Sequence, residues 1–208
     1  MTAVSQASPN LELKGIATST EKMKTLEFGS YCLLDSAAFL NCSLDTLSNN
    51  LKNAQHTFPL LKQIDHFKDL SDDLIFTKSV FPYEWNSSIE KLQAATVFPP
   101  RQVFFSRLTN QDLSHEDYVR GVETFAALKC DNMCQYMEFY CLLDTVLLAE
   151  IVFQFRQDIY QQFQLDCSNY VSLPQLAFDS MLRMKKDTVD MACDLEMILL
   201  VENSLRGG

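Results

Sequence analysis

The sequence contains the stretch Tyr140-Cys141-Leu142-Leu143-Asp144, followed by Thr145-Val146-Leu147-Leu148-Ala149-Glu150-Ile151-Val152-Phe153. Apolar residues are dense here, as in a helix that is buried on most of its sides. We therefore predict one long helix from about Asn132 to Gln157. Tyr140 and Asp144 are four positions apart within it, so their side chains project from the same face.

Two short strands and a first capped helix are predicted in the N-terminal part of the sequence. Gly29-Ser30 is a turn signal that feeds a largely buried strand ending near Asp35. Residues 74–77, Leu-Ile-Phe-Thr, are the second strand candidate. Between the two strands, Ser43 can cap a helix whose leucines line one face.

Three further helices complete the predicted elements. Ser114 and Asp117 resemble a capping pair at the start of one helix. Ser172 begins another, with a proline in its first turn. Thr188 begins the last, which ends at Gly207-Gly208.

The composition describes a globular chain without a basic character. Of the 208 residues, 47% are hydrophobic and 21% are charged, which is typical of a folded protein. The sequence has no apolar stretch of membrane-spanning length and no signal peptide, and its seven cysteines fit reduced thiols, so we expect an intracellular protein, in nucleus or cytoplasm. The formal net charge of -10 does not indicate nucleic-acid binding, so any such argument rests on motifs.

Tyr140 and Asp144 supply two groups that metal-dependent phosphodiester hydrolysis requires. A carboxylate holds the metal ion, and a second group orients the attacking water. The spacing alone also arises by chance in many helices, where it means an exposed Asp beside a core Tyr. The neighbouring sequence has to decide between these interpretations.

Residues 140–153, with Phe155-Arg156 after them, resemble the third exonuclease motif of the DNA polymerases of Polinton (Maverick) transposons and their viral relatives. Those enzymes are similar to the protein-primed polymerases of family B in bacteriophages. The resemblance implies that Tyr140 and Asp144 are catalytic residues of a 3'-5' exonuclease site. It also implies that Asp144 binds a divalent metal, Mg²⁺ or Mn²⁺.

Residues 78–85 are similar to a lysine-containing motif of the same family. The resemblance implies that Lys78 assists exonucleolysis and that Phe81 and Tyr83 contact the single-stranded 3' end of DNA. Ser79 stands where the family usually has Gly. Taken without the family, Lys78 is a solvated lysine and Tyr83 a packing aromatic.

Two other segments imply further contacts with DNA. Residues 34–47 are similar to the segment that holds the family's Ser/Thr-Leu single-strand-binding motif, which implies a role for Ser36, although Ala37 replaces the Leu. The end of the sequence resembles the Tyr-x-Gly-Gly linker between exonuclease and polymerase domains. This implies DNA contacts for Arg206, Gly207 and Gly208, and the alternative is a plain helix C-cap.

The fold that the resemblance implies is α/β and helix-dominated, part of a ribonuclease-H-like 3'-5' exonuclease domain. We expect a loose leader at residues 1–20, the partial exonuclease domain at residues 21–204, and the start of the exonuclease–polymerase linker at residues 205–208. The family's first two exonuclease motifs, which carry most metal ligands, are absent from the sequence. We therefore expect a fragment of a DNA-directed DNA polymerase that is inactive by itself and does not hold Mg²⁺ tightly.

The expected partners are a single-stranded 3' DNA end, a terminal priming protein and the remainder of the polymerase chain, with no membrane. Two alternatives stay open. One is a domesticated, non-catalytic interaction protein on the exonuclease scaffold, favoured by the acidic charge and by Ala37. The other is an unrelated helical adaptor whose motifs only pack.

Overall fold

The computed structural model describes residues 13–17, 23–68, 70–185 and 193–204. Helices dominate the described chain, which confirms that part of the prediction. The presence of one small antiparallel sheet beside them is compatible with an α/β class. The chain divides into two compact units: unit 1, Met1–Phe39 with Ile159–Gly208, and unit 2, Leu40–Asp158. None of the helices in the described ranges combines the length and hydropathy needed to cross a membrane.

The sheet of unit 1 has the order β1 (Leu13–Ala17), β2 (Met23–Phe28), β3 (Tyr31–Leu34). Gly29 lies in the turn between β2 and β3 with φ of 58°, a conformation that glycine adopts without a Cβ clash. The predicted turn and strand are therefore confirmed. The predicted burial of that strand is wrong, because little of the described chain covers either face of β3.

A strand lies where the sequence predicted a loose leader. β1 pairs antiparallel with β2, with Ile16 opposite Thr25. The Ile16 N–H also donates to Thr25 Oγ1 at 3.2 Å. Residues 1–20 are polar and have no local periodicity, so this strand depends on its partner, which a local pattern does not reveal.

Unit 2 is built from helices around one long helix. They are α1 (Leu44–Asn53), α2 (Pro59–Gln63), α3 (Asp72–Ile75), α4 (Ile89–Ala94), α5 (His115–Ala127) and α6 (Met133–Phe163), whose residues from Ile159 onward belong to unit 1. The Ser43 and Ser114 hydroxyls cap α1 and α5, as predicted. The long helix is confirmed as α6, which continues past the predicted end at Gln157.

Residues 74–77 do not form the predicted strand. Residues 72–75 form α3, and the Ser71 carbonyl accepts hydrogen bonds from the N–H groups of Leu74 and Ile75. Asp72 and Asp73 in the first turn favour a helix N-terminus. A four-residue apolar run does not by itself distinguish a strand from a buried helical turn.

Unit 1 also contains α7 (Leu173–Met184) and α8 (Leu195–Ser204). Ser172 precedes α7 as predicted. The predicted helix start at Thr188 lies outside the described residues, and Cys193 and Asp194 are not yet helical.

Two apolar clusters pack on different faces of α6 in unit 2. The first contains Phe58, Leu61, Phe67, Leu70, Ile75, Phe76, Phe139, Leu143 and Leu147. The second contains Phe81, Leu92, Met133, Tyr136 and Tyr140. The dense apolar pattern of α6 is therefore explained by burial on two faces, and the second cluster places Tyr140 next to the segment that follows Lys78.

Candidate functional site

The segment from Lys78 to Tyr83 packs on α6 without regular structure. Pro82 has no N–H to donate, which is one reason why the segment does not continue as a helix. The Phe81 ring lies 5.4 Å from the Tyr140 ring and 5.5 Å from the Tyr83 ring, between centroids. The hydroxyl groups of Tyr83 and Tyr140 are hydrogen-bonded to each other.

The two tyrosines of this pair have different exposure. Tyr140 is 5% exposed, whereas Tyr83 is 64% exposed. Burial raises the pKa of Tyr140, and the hydrogen bond to Tyr83 and the charge of Asp144 raise it further. The Tyr140 phenol therefore stays protonated at physiological pH and can donate to an anion or orient a water.

Asp144 lies one turn after Tyr140 on α6 and is half-buried. Its Oδ1 is buried and has no hydrogen-bond partner within the described part of the chain. Burial raises the pKa of Asp144, while a hydrogen bond from Tyr140 and the positive charge of Lys78 act in the opposite direction. Tyr140 and Lys78 thus both act on Asp144, although Lys78 lies 66 positions before it in the sequence.

A cavity of about 360 Å³ opens beside Lys78, Phe81, Tyr83 and Tyr140. Further lining residues to which the sequence assigned no functional role include Asp45, Glu84, Phe104, Phe105, Asp117 and Arg120. Arg120 adds a second cation to the wall.

Most of the charged side chains near the cavity that were not predicted from the sequence form ion pairs within the protein. Arg120 is paired with Asp117 at 2.7 Å, and Arg107 with Glu84 at 2.8 Å. In the sequence Arg120 looks like any solvated residue of an amphipathic helix, so no local signal marks it.

Of the remaining predicted DNA contacts, one lies in unit 1 and three lie outside the described residues. Ser36 belongs to unit 1, in a short 3₁₀ turn, Ser36–Ala38, where Asp35 Oδ1 accepts the Ala37 N–H at 3.0 Å. Arg206, Gly207 and Gly208 lie outside the described residues.

The donor set suits at most part of a metal site. In the ranges that the structure describes, no group of three or more His, Cys, Asp or Glu side chains is placed to hold a metal ion. The buried, unpartnered Oδ1 of Asp144 has the character of one ligand to a hard cation. A two-metal centre requires additional carboxylates.

Comparison with known proteins identifies the family. The model of the family "DNA polymerase type B, organellar and viral" matches residues 8–208. The chain belongs to this family, so the resemblance drawn from the motifs is confirmed at the level of type B DNA polymerases.

Two curated relatives carry the same description. The chain is 28% identical over 111 residues to a probable DNA polymerase of Neurospora intermedia, covering 52% of this chain and 11% of that protein. It is 26% identical over 155 residues to a probable DNA polymerase of Ascobolus immersus, covering 72% and 10%. The chain thus spans about a tenth of the length of the curated relatives it matches. No solved structure matches it significantly.

Proposed function

We propose that Lys78, Tyr83, Tyr140 and Asp144 form part of the 3'-5' proofreading exonuclease site of a protein-primed type B DNA polymerase, on a ribonuclease-H-like scaffold. One observation carries the proposal. The segment of Lys78 and Tyr83 meets Tyr140 at one cavity, with the unpartnered oxygen of Asp144 one helical turn further along α6. The family membership of the chain supports DNA as the ligand.

Each side chain of the cluster has a distinct role in this proposal. The exposed Tyr83 ring stacks on the unpaired base at the 3' end, and Phe81 packs against that ring and holds it. Lys78 attracts the phosphate and stabilises the charge that develops on it. When DNA is bound, the protonated Tyr140 hydroxyl donates to the phosphate or to the attacking water instead of to Asp144.

Asp144 is the residue that would hold Mg²⁺ or Mn²⁺. A divalent ion bound there would supply a polarised water and would neutralise developing charge. One carboxylate binds such an ion weakly, so we propose that the other ligands come from the remainder of the polymerase, as the length of the curated relatives allows. We also propose that the polymerase works with a terminal priming protein and that it is intracellular.

Binding of a 3'-labelled single-stranded oligonucleotide, followed by fluorescence anisotropy in EDTA, tests the DNA contact. Tyr83→Ala should lower the affinity about tenfold, because stacking of one base on an aromatic ring contributes about 1–3 kcal/mol. The matched control is Tyr160→Ala, since Tyr160 is also exposed but belongs to unit 1. Equal loss in both variants, or no binding by the wild type, contradicts the proposal.

Nuclease activity provides a second test. Because Asp144 is the one carboxylate assigned to the metal, the chain by itself should not shorten DNA measurably in Mg²⁺ or Mn²⁺. Robust metal-dependent removal of 3' nucleotides that Asp144→Ala abolishes would show that the proposed division of the metal site is wrong.

A non-catalytic interaction protein on the same scaffold is the second candidate function. The net charge of -10 favours it, because an acidic surface repels phosphates. Under this alternative, Tyr83→Ala leaves nucleic-acid binding unchanged. The flanking genomic DNA also separates the two: an Asp-x-Glu motif upstream and palm motifs downstream, in frame, support the polymerase.

A further inference from the structure

Tyr136 anchors the middle of the segment that carries Lys78 and Tyr83. Its hydroxyl donates to the Val80 carbonyl at 2.8 Å and lies 3.0 Å from Ser79 Oγ. A phenol has a single proton, and Val80 accepts it, so the Ser79 hydroxyl donates to the Tyr136 oxygen. These bonds attach the segment to α6 through two successive residues.

The Tyr136 side chain is itself held firmly. It is 0% exposed, and its ring lies 5.3 Å from the Phe98 ring and 6.0 Å from the Phe125 ring, between centroids. Burial raises the pKa of Tyr136 to about 12, so its hydroxyl remains a donor at physiological pH. The ring packing therefore fixes the place at which the Val80 carbonyl is bound.

We propose that Tyr136 is a positioning residue that sets the register of the Lys78–Tyr83 segment on α6 and so places Lys78 and Tyr83 for the single-stranded end of DNA. The functional half of this inference rests on the exonuclease proposal. Tyr136 holds the middle of the segment, and Tyr140, one helical turn later, holds its end through the Tyr83 hydroxyl. Two anchors on successive turns leave the segment one register.

A further polar contact of the segment, from Arg120, is weaker. Arg120 Nη2 reaches the Lys78 carbonyl at 3.5 Å, which is at the limit of a hydrogen bond, and Arg120 is mainly engaged by Asp117 at 2.7 Å. If the Tyr136 hydroxyl is removed, the Val80 carbonyl loses its buried donor and Ser79 its acceptor. The free energy of the segment is then lowered when it shifts so that water can hydrogen-bond to these two groups.

Hydrogen exchange of the full chain tests the anchor without DNA. Tyr136→Phe keeps the ring and removes the hydroxyl. Exchange in the peptide 78–86, which includes the hydrogen-bonded N–H groups of Tyr83 and Asn86, should rise about tenfold or more. The matched control is Tyr118→Phe, which removes a hydroxyl that donates to the Pro99 carbonyl at 3.2 Å instead.

The exchange result decides the structural half of the inference. A rise in the peptide 78–86 for Tyr136→Phe but not for Tyr118→Phe supports it. Unchanged exchange in that peptide, or an equal rise in both variants, overturns it, whatever the DNA measurements give.

Single-strand binding over a series of salt concentrations decides the functional half. Tyr136→Phe should weaken binding about tenfold and reduce the slope of log K against log salt by about 0.7, the loss of one phosphate contact, as Lys78→Met does. The double variant Tyr136→Phe/Lys78→Met should lose less binding free energy than the sum of the two single losses, because both substitutions remove the same contact.

The outcomes separate this inference from the exonuclease proposal. Full additivity of the two substitutions, or normal binding by Tyr136→Phe while Lys78→Met is weakened, overturns the positioning role. If the wild type and Lys78→Met bind single strands equally, the exonuclease proposal for Lys78 fails and the functional half of the inference fails with it. The exchange measurement still decides whether Tyr136 fixes the segment.

Discussion

Asp144 and Glu150 lie six positions apart on α6, and their carboxyl groups have opposite surroundings. Glu150 is 0% exposed, and its Oε1 accepts hydrogen bonds from the N–H groups of Leu60 and Leu61 at 2.5 and 3.1 Å. Its Oε2 lies 3.4 Å from His56 Nε2. Asp144 Oδ1 is also buried but has no partner among the described residues. The fold therefore satisfies the carboxyl group of Glu150, whereas it leaves one oxygen of Asp144 without a partner among the described residues.

The partners of Glu150 show why the fold needs it. α2 has no side-chain cap of its own and begins at Pro59, after Phe58 in a left-handed conformation with φ of 47°. The first N–H groups of a helix have no partners within it. Glu150 accepts from two of them and thus caps α2 from another helix.

The largest effect is expected from Glu150→Ala. It leaves two buried N–H groups without an acceptor and should lower the free energy of unfolding by about 4 kcal/mol, measured by urea denaturation. Glu150→Gln keeps an acceptor oxygen and should lower it by about half as much. If Glu150→Ala unfolds at the same urea concentration as the wild type, the capping role is wrong.

Leu147→Ala should have the next largest effect. Leu147 is fully buried in the first apolar cluster, so truncation leaves a cavity and should lower the free energy of unfolding by about 3 kcal/mol. The neighbouring Leu148 is 38% exposed, so Leu148→Ala should change the free energy of unfolding by only about 0.5 kcal/mol. Similar losses for both variants would show that α6 is not packed as described.

Asp144→Asn should behave in the opposite way to the Glu150 substitutions. It removes the charge from a half-buried carboxyl whose Oδ1 is unpartnered, so the free energy of unfolding should stay the same or rise by about 1 kcal/mol. Urea denaturation beside the wild type at neutral pH measures this. A clear loss of stability would mean that the Asp144 carboxylate is structural, as that of Glu150 is.

The smallest effect is the pH dependence of that difference. Because the pKa of Asp144 is raised in the folded chain, its contribution to stability is fully present below the pKa of the unfolded chain and is lost as the pH rises through the folded pKa. The Asp144→Asn variant has no carboxyl group at this position, so its stability does not fall in this way as the pH rises. Its stability advantage over the wild type should therefore be absent near pH 3.5 and grow toward neutral pH, as urea denaturation at several pH values would show; a constant difference contradicts the pKa shift.

Local patterns predicted the parts of the fold that local chemistry determines. The spacing of Tyr140 and Asp144 on one helical face and the Ser43 and Ser114 caps follow from residues within one turn of each other. β1 and α3 were missed because their state depends on a pairing strand or on burial in a core.

The candidate site was predictable only residue by residue. The motifs indicated Lys78, Tyr83, Tyr140 and Asp144, but not that Tyr83 and Tyr140 share a hydrogen bond across 57 positions. The hydrogen bond from the Tyr136 hydroxyl could not be predicted either, because its acceptor is the backbone carbonyl of a residue distant in the sequence.

Photocrosslinking of a single-stranded oligonucleotide with 4-thiothymidine at its 3' terminus tests whether Tyr83 and Tyr140 lie at a binding site for a DNA 3' end. We expect crosslinks to the peptides that carry Tyr83 and Tyr140. These crosslinks should be reduced by Tyr83→Ala and absent when the thio base is moved to the 5' terminus. Crosslinks only to other peptides, or the same pattern from both termini, would contradict the assignment of this cluster to a DNA 3' end.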